Sequence, residues 1–167
     1  MSPSWEHKTR AETIGQVIRI IAEELAIPIR GGGSTTFRRE GLDRGLEADK
    51  CFYIANEARV RGRKQINLAV DPPPDLCIEV QISRRLAERK EIYADLKVPE
   101  LWCDDGRQLR VLSLQPTGNY KQSPRSISFP MVPLKQIGQF LAWGGTMDDT
   151  TWSRRVRKWI AENLSKS

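Results

Sequence analysis

The sequence predicts an α/β domain, and three observations carry that prediction. Apolar residues recur at helical intervals over residues 14–25, polar and apolar residues alternate with strand period over 75–82, and an Asp-Gly pair at 105–106 separates two strand-like runs. Together with the intervening stretches they give the order helix, strand, strand, strand, helix, strand, strand, then helices. A chain of 167 residues with 39% hydrophobic content suits one domain, 1–167, with a real core.

The elements follow in order. Residues 1–8 are polar and read as a flexible lead-in. Thr9-Arg10-Ala11-Glu12 has capping-box spacing. Ile14, Val17, Ile18, Ile21 and Leu25 then form an apolar stripe opposite Glu12, Gln16, Arg19 and Glu23, a helix to about Ala26 that Pro28 ends. A phosphate-binding glycine loop should follow a strand and open a helix. Gly31-Gly32-Gly33 instead follows a helix and precedes the strand-like Ser34-Thr35-Thr36-Phe37-Arg38, so it reads as a turn.

Gly45 to Ile54 is the second strand, with Glu47, Asp49 and Cys51 on one face and Phe52 and Ile54 on the other. Arg59, Arg61, Arg63 and Lys64 form an exposed basic loop, open to plain solvation or to a polyanion. Pro72-Pro73-Pro74 is a rigid lead-in to the central strand. There Leu76, Ile78, Val80 and Ile82 point one way and Asp75, Cys77, Glu79 and Gln81 the other. Two acids on the polar face suit either a solvated sheet face or a site.

Arg84 to Leu96 reads as a helix with Leu86, Tyr93 and Ala94 turned inward, ended by Val98-Pro99. Glu100 to Cys103 and Leu109 to Leu114 are hairpin partners, and a Pro- and Ser-bearing stretch runs from Thr117-Gly118-Asn119 to Pro133. Leu134–Trp143 and Thr150–Leu164 close the chain as two helices, a C-terminal extension over 134–167. The second carries the stripe Trp152, Val156, Trp159, Ile160 and Leu164, with Arg154, Arg155, Arg157 and Lys158 mostly off it.

Composition narrows the chemistry. A net charge of +6 and a pI of about 9.5 are compatible with a nucleic-acid partner without requiring one. Cys51, Cys77 and Cys103 are odd in number and unpaired in spacing, and no apolar run approaches a membrane span; both point to a soluble, cytoplasmic protein. With His7 as the single histidine, a zinc site is not in prospect. Metal chemistry would use carboxylates, which favour magnesium (Mg2+) or manganese (Mn2+).

Spacing decides which acids can cooperate. Asp75 and Glu79 are four residues apart on one strand, roughly 13 Å, too far to share an ion. Asp49 can sit beside Glu79, because neighbouring strands lie about 4.8 Å apart, with Gln81 one step along the same face. Lys90 lies four residues after Leu86 and three before Tyr93, so its charge can lean toward the acids or snorkel to water.

Four ordered segments carry a resemblance: Gly45 to Ile54, Pro73 to Val80, Lys90-Glu91-Ile92-Tyr93 and Val98-Pro99-Glu100-Leu101-Trp102. From about Met1 to Pro133 the chain resembles the Uma-two family of restriction-type endonucleases, itself similar to the PD-(D/E)XK nuclease superfamily. The resemblance implies a restriction-endonuclease-like α-β-β-β-α-β core with a mixed sheet, and metal-dependent hydrolysis of DNA phosphodiesters. It implies metal ligation by Asp49, Glu79 and the backbone carbonyl near Val80. Gln81 stands where the motif has lysine, and Lys90 resembles the helix-borne lysine that replaces it, placed to orient or deprotonate the attacking water.

The chain also departs from the family pattern. Ala48 replaces a proline before Asp49. Relatives begin with an acidic segment upstream of Met1-Ser2-Pro3, which this chain is expected to lack, leaving Glu12, Glu23 or Glu24 as the acids to consider. A second reading is therefore an inactive nuclease fold serving as a nucleic-acid-binding or self-associating module. Exposed edge strands and an aromatic end (Trp143, Trp152, Trp159) suggest a homodimer, by analogy with enzymes that cut both strands.

Overall fold

The computed structural model describes residues 3–38, 41, 45–80 and 86–164. Helix α1 spans Trp5–Glu24, and its start corrects the expected lead-in. The Ser4 side chain accepts the His7 N–H at 3.2 Å and caps the helix five residues before the Thr9 signal, so residues 5–8 are helical. Thr9 instead turns its hydroxyl to the Glu6 carbonyl inside the first turns. At the far end the Ile27 N–H returns to the Ala22 carbonyl at 2.8 Å around Ala26, whose φ is +54°.

The chain then enters β1, Arg30–Gly33, which overturns the reading of Gly31-Gly32-Gly33 as a turn. β1 pairs antiparallel with β4, Lys50–Tyr53, through a bulge between Gly31 and Gly33. A side chain is excluded here: a Cβ on Gly32 would lie 2.6 Å from Cys51 Sγ, and Gly33 has φ +59°. β2, Thr36–Phe37, pairs with β3, Leu46–Glu47, in a separate ribbon. The single strand expected over Gly45–Ile54 is thus broken at Ala48-Asp49, its halves hydrogen-bonding to different partners. A one-turn helix α2, Glu57–Val60, precedes the basic loop. There Arg61 pairs with Glu57 at 2.5 Å and Arg63 with Asp71 at 3.1 Å, so half of that loop's charge is neutralised within the chain.

The central strand β5, Leu76–Val80, lies between β4 and β6, Glu100–Asp104. β5 and β6 are parallel and joined by α3, Leu86–Asp95, the crossover that parallel pairing requires. β7, Leu109–Leu114, follows the Asp105-Gly106 turn, and β8, Tyr120–Gln122, adds an edge strand not foreseen from sequence. The order in the mixed six-stranded sheet is β1-β4-β5-β6-β7-β8. Helices α4, Leu134–Gly144, and α5, Asp149–Asn163, close the fold.

Two cores flank the sheet. Leu76, Ile78 and Val80 pack with α1, α4 and α5, while Cys77 packs on the opposite side with Tyr93 of α3 and with the β2–β3 ribbon. The alternation along β5 therefore holds, but the polar face is covered by α3 rather than solvated: Glu79 is 3% exposed. The aromatic end that suggested a dimer is taken up within the chain. Trp152 is buried and donates to the Phe140 carbonyl, and Trp143 and Trp159 pack on the Phe140 ring. No described helix is long and apolar enough to cross a membrane.

Candidate active site

The break before β4 frees Asp49 to turn toward the end of β5. The β4–β5 register pairs Lys50 with Ile78, so one step further Asp49 stands opposite Glu79. Asp49 Oδ2 accepts the Val80 backbone N–H at 2.7 Å and lies 3.2 Å from His7 Nε2. Val80 is thereby tied to the acid pair through its own amide.

Glu79 is held from the other side by α3. Its Oε1 accepts from Arg89 Nε at 3.0 Å, from Arg89 Nη2 at 2.5 Å and from the Tyr93 hydroxyl. Arg89 Nη2 also donates to the Glu47 carbonyl at 2.6 Å, which clamps α3 to the β3 segment. Burial is the largest influence on the Glu79 carboxyl and pushes it above the usual carboxylate range; Arg89 and Tyr93 oppose that, and the nearby Asp49 charge adds to it. Burial likewise pushes the Tyr93 phenol up, so it serves as a donor to the carboxylate.

The two carboxylates share one arrangement. Each has one oxygen engaged by protein donors, while Asp49 Oδ1 and Glu79 Oε2 have no hydrogen bond or ion pair among the described residues. A buried carboxyl whose one cation does not offset desolvation, beside a second acid with a free oxygen, suits an oxygen-seeking divalent ion. No group of three or more His, Cys, Asp or Glu among the described residues forms a metal cluster, so an ion would depend on this pair and a backbone carbonyl.

The remaining expected site residues divide. Gln81 lies outside the described residues. Lys90 does not reach Glu79: it is half-buried on α3 and lines a cavity with Cys103 and Arg110, and the cation on Glu79 is Arg89. Arg89 follows Leu86 by three residues and precedes Tyr93 by four, the mirror of Lys90's spacing, so helical phase alone could not choose between them. Asp75 has another task. Its Oδ2 accepts from Ile54 N and Asn56 N at 2.6 and 2.9 Å, and its Oδ1 from Asn56 Nδ2 at 2.8 Å, fixing the chain as it leaves β4.

The other acids are engaged elsewhere. Glu12 pairs with Lys50, and Glu23 and Glu24 pair with Arg157 of α5 at 2.8 and 3.3 Å. His7 gave no signal in the sequence, because the segment bearing it read as a lead-in.

A family model described as "Uma2: Putative restriction endonuclease" matches residues 1–137. The chain belongs to this family. The Uma2 match covers α1, the six-stranded sheet, α3 and the first turn of α4. Among solved structures, one titled as "a putative nuclease belonging to DUF820 from Anabaena variabilis" is similar at 18% identity, with a TM-score of 0.57 and 84% of each chain covered. At that identity the likeness establishes a shared nuclease fold for this Uma2 chain. No curated protein matches it.

Proposed function

We propose that this Uma2-family chain hydrolyses DNA phosphodiester bonds with a divalent ion, magnesium or manganese, held by Asp49, Glu79 and the backbone carbonyl of Val80. The observation that supports it is the pair of half-engaged carboxylates, Asp49 just before β4 and Glu79 on β5, each with one oxygen tied and one free among the described residues. Such an ion lowers the pKa of a bound water and neutralises charge on the phosphate. The chain supplies the rest. Val80 N–H and His7 hold Asp49 by Oδ2, and Arg89 and Tyr93 hold Glu79 by Oε1, so neither carboxylate must be reoriented to accept a cation. Lys90 offers positive charge without a carboxylate partner among the described residues, available to a phosphate or an attacking water. Gln81, the residue after Val80, belongs to this site by its place in the sequence.

The test is a magnesium and manganese titration by calorimetry on the wild-type chain and Asp49→Asn, followed by cleavage of plasmid DNA. Binding is expected in the wild type and lost in Asp49→Asn. Glu79→Gln should lose cleavage by at least about a hundredfold while remaining folded, because burial already favours the neutral form at that position. No binding at millimolar metal, with or without a DNA duplex, would replace this reading with a nuclease fold that binds without cutting.

A further inference from the structure

Beside the acid pair, on the same face of the sheet, lies a second feature of which the reading above uses only Lys90. Strand register places Glu79 opposite Cys103 across β5 and β6, and Cys103 opposite Arg110 across β6 and β7. One row therefore runs from Glu79 through a thiol to a guanidinium, with Arg110 two strand spacings, roughly 10 Å, from Glu79. Between α3 and this part of the sheet is a cavity of about 250 Å³, lined by Lys90, Arg110, Gln108 and Gln122.

The balance of committed and uncommitted groups decides what the cavity can hold. Its two acids are satisfied locally. Asp104 takes Arg10 Nε and Nη2 at 3.0 and 2.8 Å and the Gly106 N–H at 2.7 Å. Asp105 Oδ1 takes the Arg107 and Gln108 N–H groups at 2.8 Å each. Burial pushes the Cys103 thiol up to about 12, with Lys90 and Arg110 only partly opposing, so it adds no negative charge. Lys90, Arg110 and the side-chain amides of Gln108 and Gln122 have no hydrogen bond or ion pair among the described residues. Among the described residues the cavity thus presents two cations outside any ion pair and two unengaged amide donors around a neutral thiol, with Asp105 the one carboxylate near enough to feel the Arg110 charge. A guanidinium fork with neighbouring donors matches the oxygens of a phosphodiester.

We propose that this cavity is a phosphate subsite, in which Arg110 and Lys90 hold a non-scissile phosphate of the DNA strand that reaches Asp49 and Glu79. It rests on the nuclease reading, and assigns Arg110 to substrate positioning. Plain solvation is the competing account for an exposed arginine; it predicts that Arg110 is interchangeable with any other surface cation.

The test measures affinity for a short fluorescent duplex by anisotropy, in EDTA and across a salt series. It compares wild type, Arg110→Gln, the double substitution Lys90→Gln with Arg110→Gln, and Lys158→Gln, an exposed lysine of α5, which packs with α1 on the opposite side of the sheet. Arg110→Gln should weaken binding about fivefold to tenfold near 0.1 M salt and lower the slope of log K on log salt by about 1, and the double substitution should lower it by about 2. Lys158→Gln should do neither. Equal losses for Arg110→Gln and Lys158→Gln, or none for Arg110→Gln, would overturn the subsite. Inorganic phosphate provides a separate arm: calorimetric binding that Arg110→Gln abolishes while duplex affinity stays unchanged would make this a free-anion site and overturn the DNA assignment. Metal titration separates the two proposals. Lost duplex affinity in Arg110→Gln supports the subsite even if the acid pair binds no metal, and intact metal binding with unaltered duplex affinity removes the subsite alone.

Discussion

Asp75 and Glu79 lie four residues apart and both are buried, yet their surroundings assign them different work. Asp75 meets donors with both of its oxygens, two of those donors being backbone N–H groups just past β4. Removing it would orphan buried donors, which is costly in a way that losing an exposed acid is not. Asp75→Ala is expected to destabilise the chain by about 2–4 kcal/mol, read as a lower urea midpoint at unchanged m-value. Its folded fraction should still bind metal if Asp49 and Glu79 hold the ion; loss of metal binding at full stability would return Asp75 to the site. Glu79, by contrast, keeps one oxygen free among the described residues, because the donor contacts from Arg89 and Tyr93 converge on the other one. Arginine and tyrosine from one helix face create that asymmetry.

At the scale of elements, two helices end without the residue their geometry favours. Ala26 after α1 and Lys97 after α3 have φ of +54° and +63°, and in each case a backbone N–H one residue on returns to the last turn. Glycine adopts that conformation without the steric cost a Cβ imposes. Ala26→Gly is therefore expected to raise stability by about 0.5–1 kcal/mol and the melting temperature by about 1–4 °C. A fall in melting temperature would mean that the Ala26 methyl contributes more by packing than it costs in strain. The break between β3 and β4 is the element-level device that matters for the site. Were Leu46–Tyr53 one continuous strand on β5, Asp49 would be one more ladder residue, not a carboxylate capping the Val80 amide.

Across the whole molecule, the three thiols sit together on the covered side of the sheet. Cys51 and Cys77 are cross-strand partners and Cys103 lies on the next strand. Burial is the first cause pushing each thiol up, Cys103 to about 12. A raised folded value means that above the unfolded thiol range, about 8.5, the folded chain keeps protons that the unfolded chain releases. The stabilisation from this source is complete below that range and is lost as pH rises toward 12. Stability should thus decline between about pH 9 and 12, by up to about 1.4 kcal/mol per pH unit for each thiol. At pH 8 a thiol reagent should modify none of the three in the native chain and all three in denaturant. Rapid labelling of native protein would contradict the closed packing of α3 over the sheet.

Local patterns were enough for much of this architecture. Periods of 3.6 and 2 mark α1, β5, β6, β7 and α5, since one face of each must meet a core. The period of 2 also put Asp49 and Glu79 on faces that can meet, and the β4–β5 register set them opposite one another. What no local pattern carried was set by contacts distant in sequence. Gly31-Gly32-Gly33 became a strand by pairing with β4, where Cys51 leaves no room for a side chain on Gly32. His7 came to Asp49 because Ser4 extends α1 toward the sheet's end. Arg89 rather than Lys90 took Glu79, since residues three and four along a helix flank its inward line equally. Only the docking angle of α3 on the sheet separates them, and that angle is set by packing, which no spacing along the chain records.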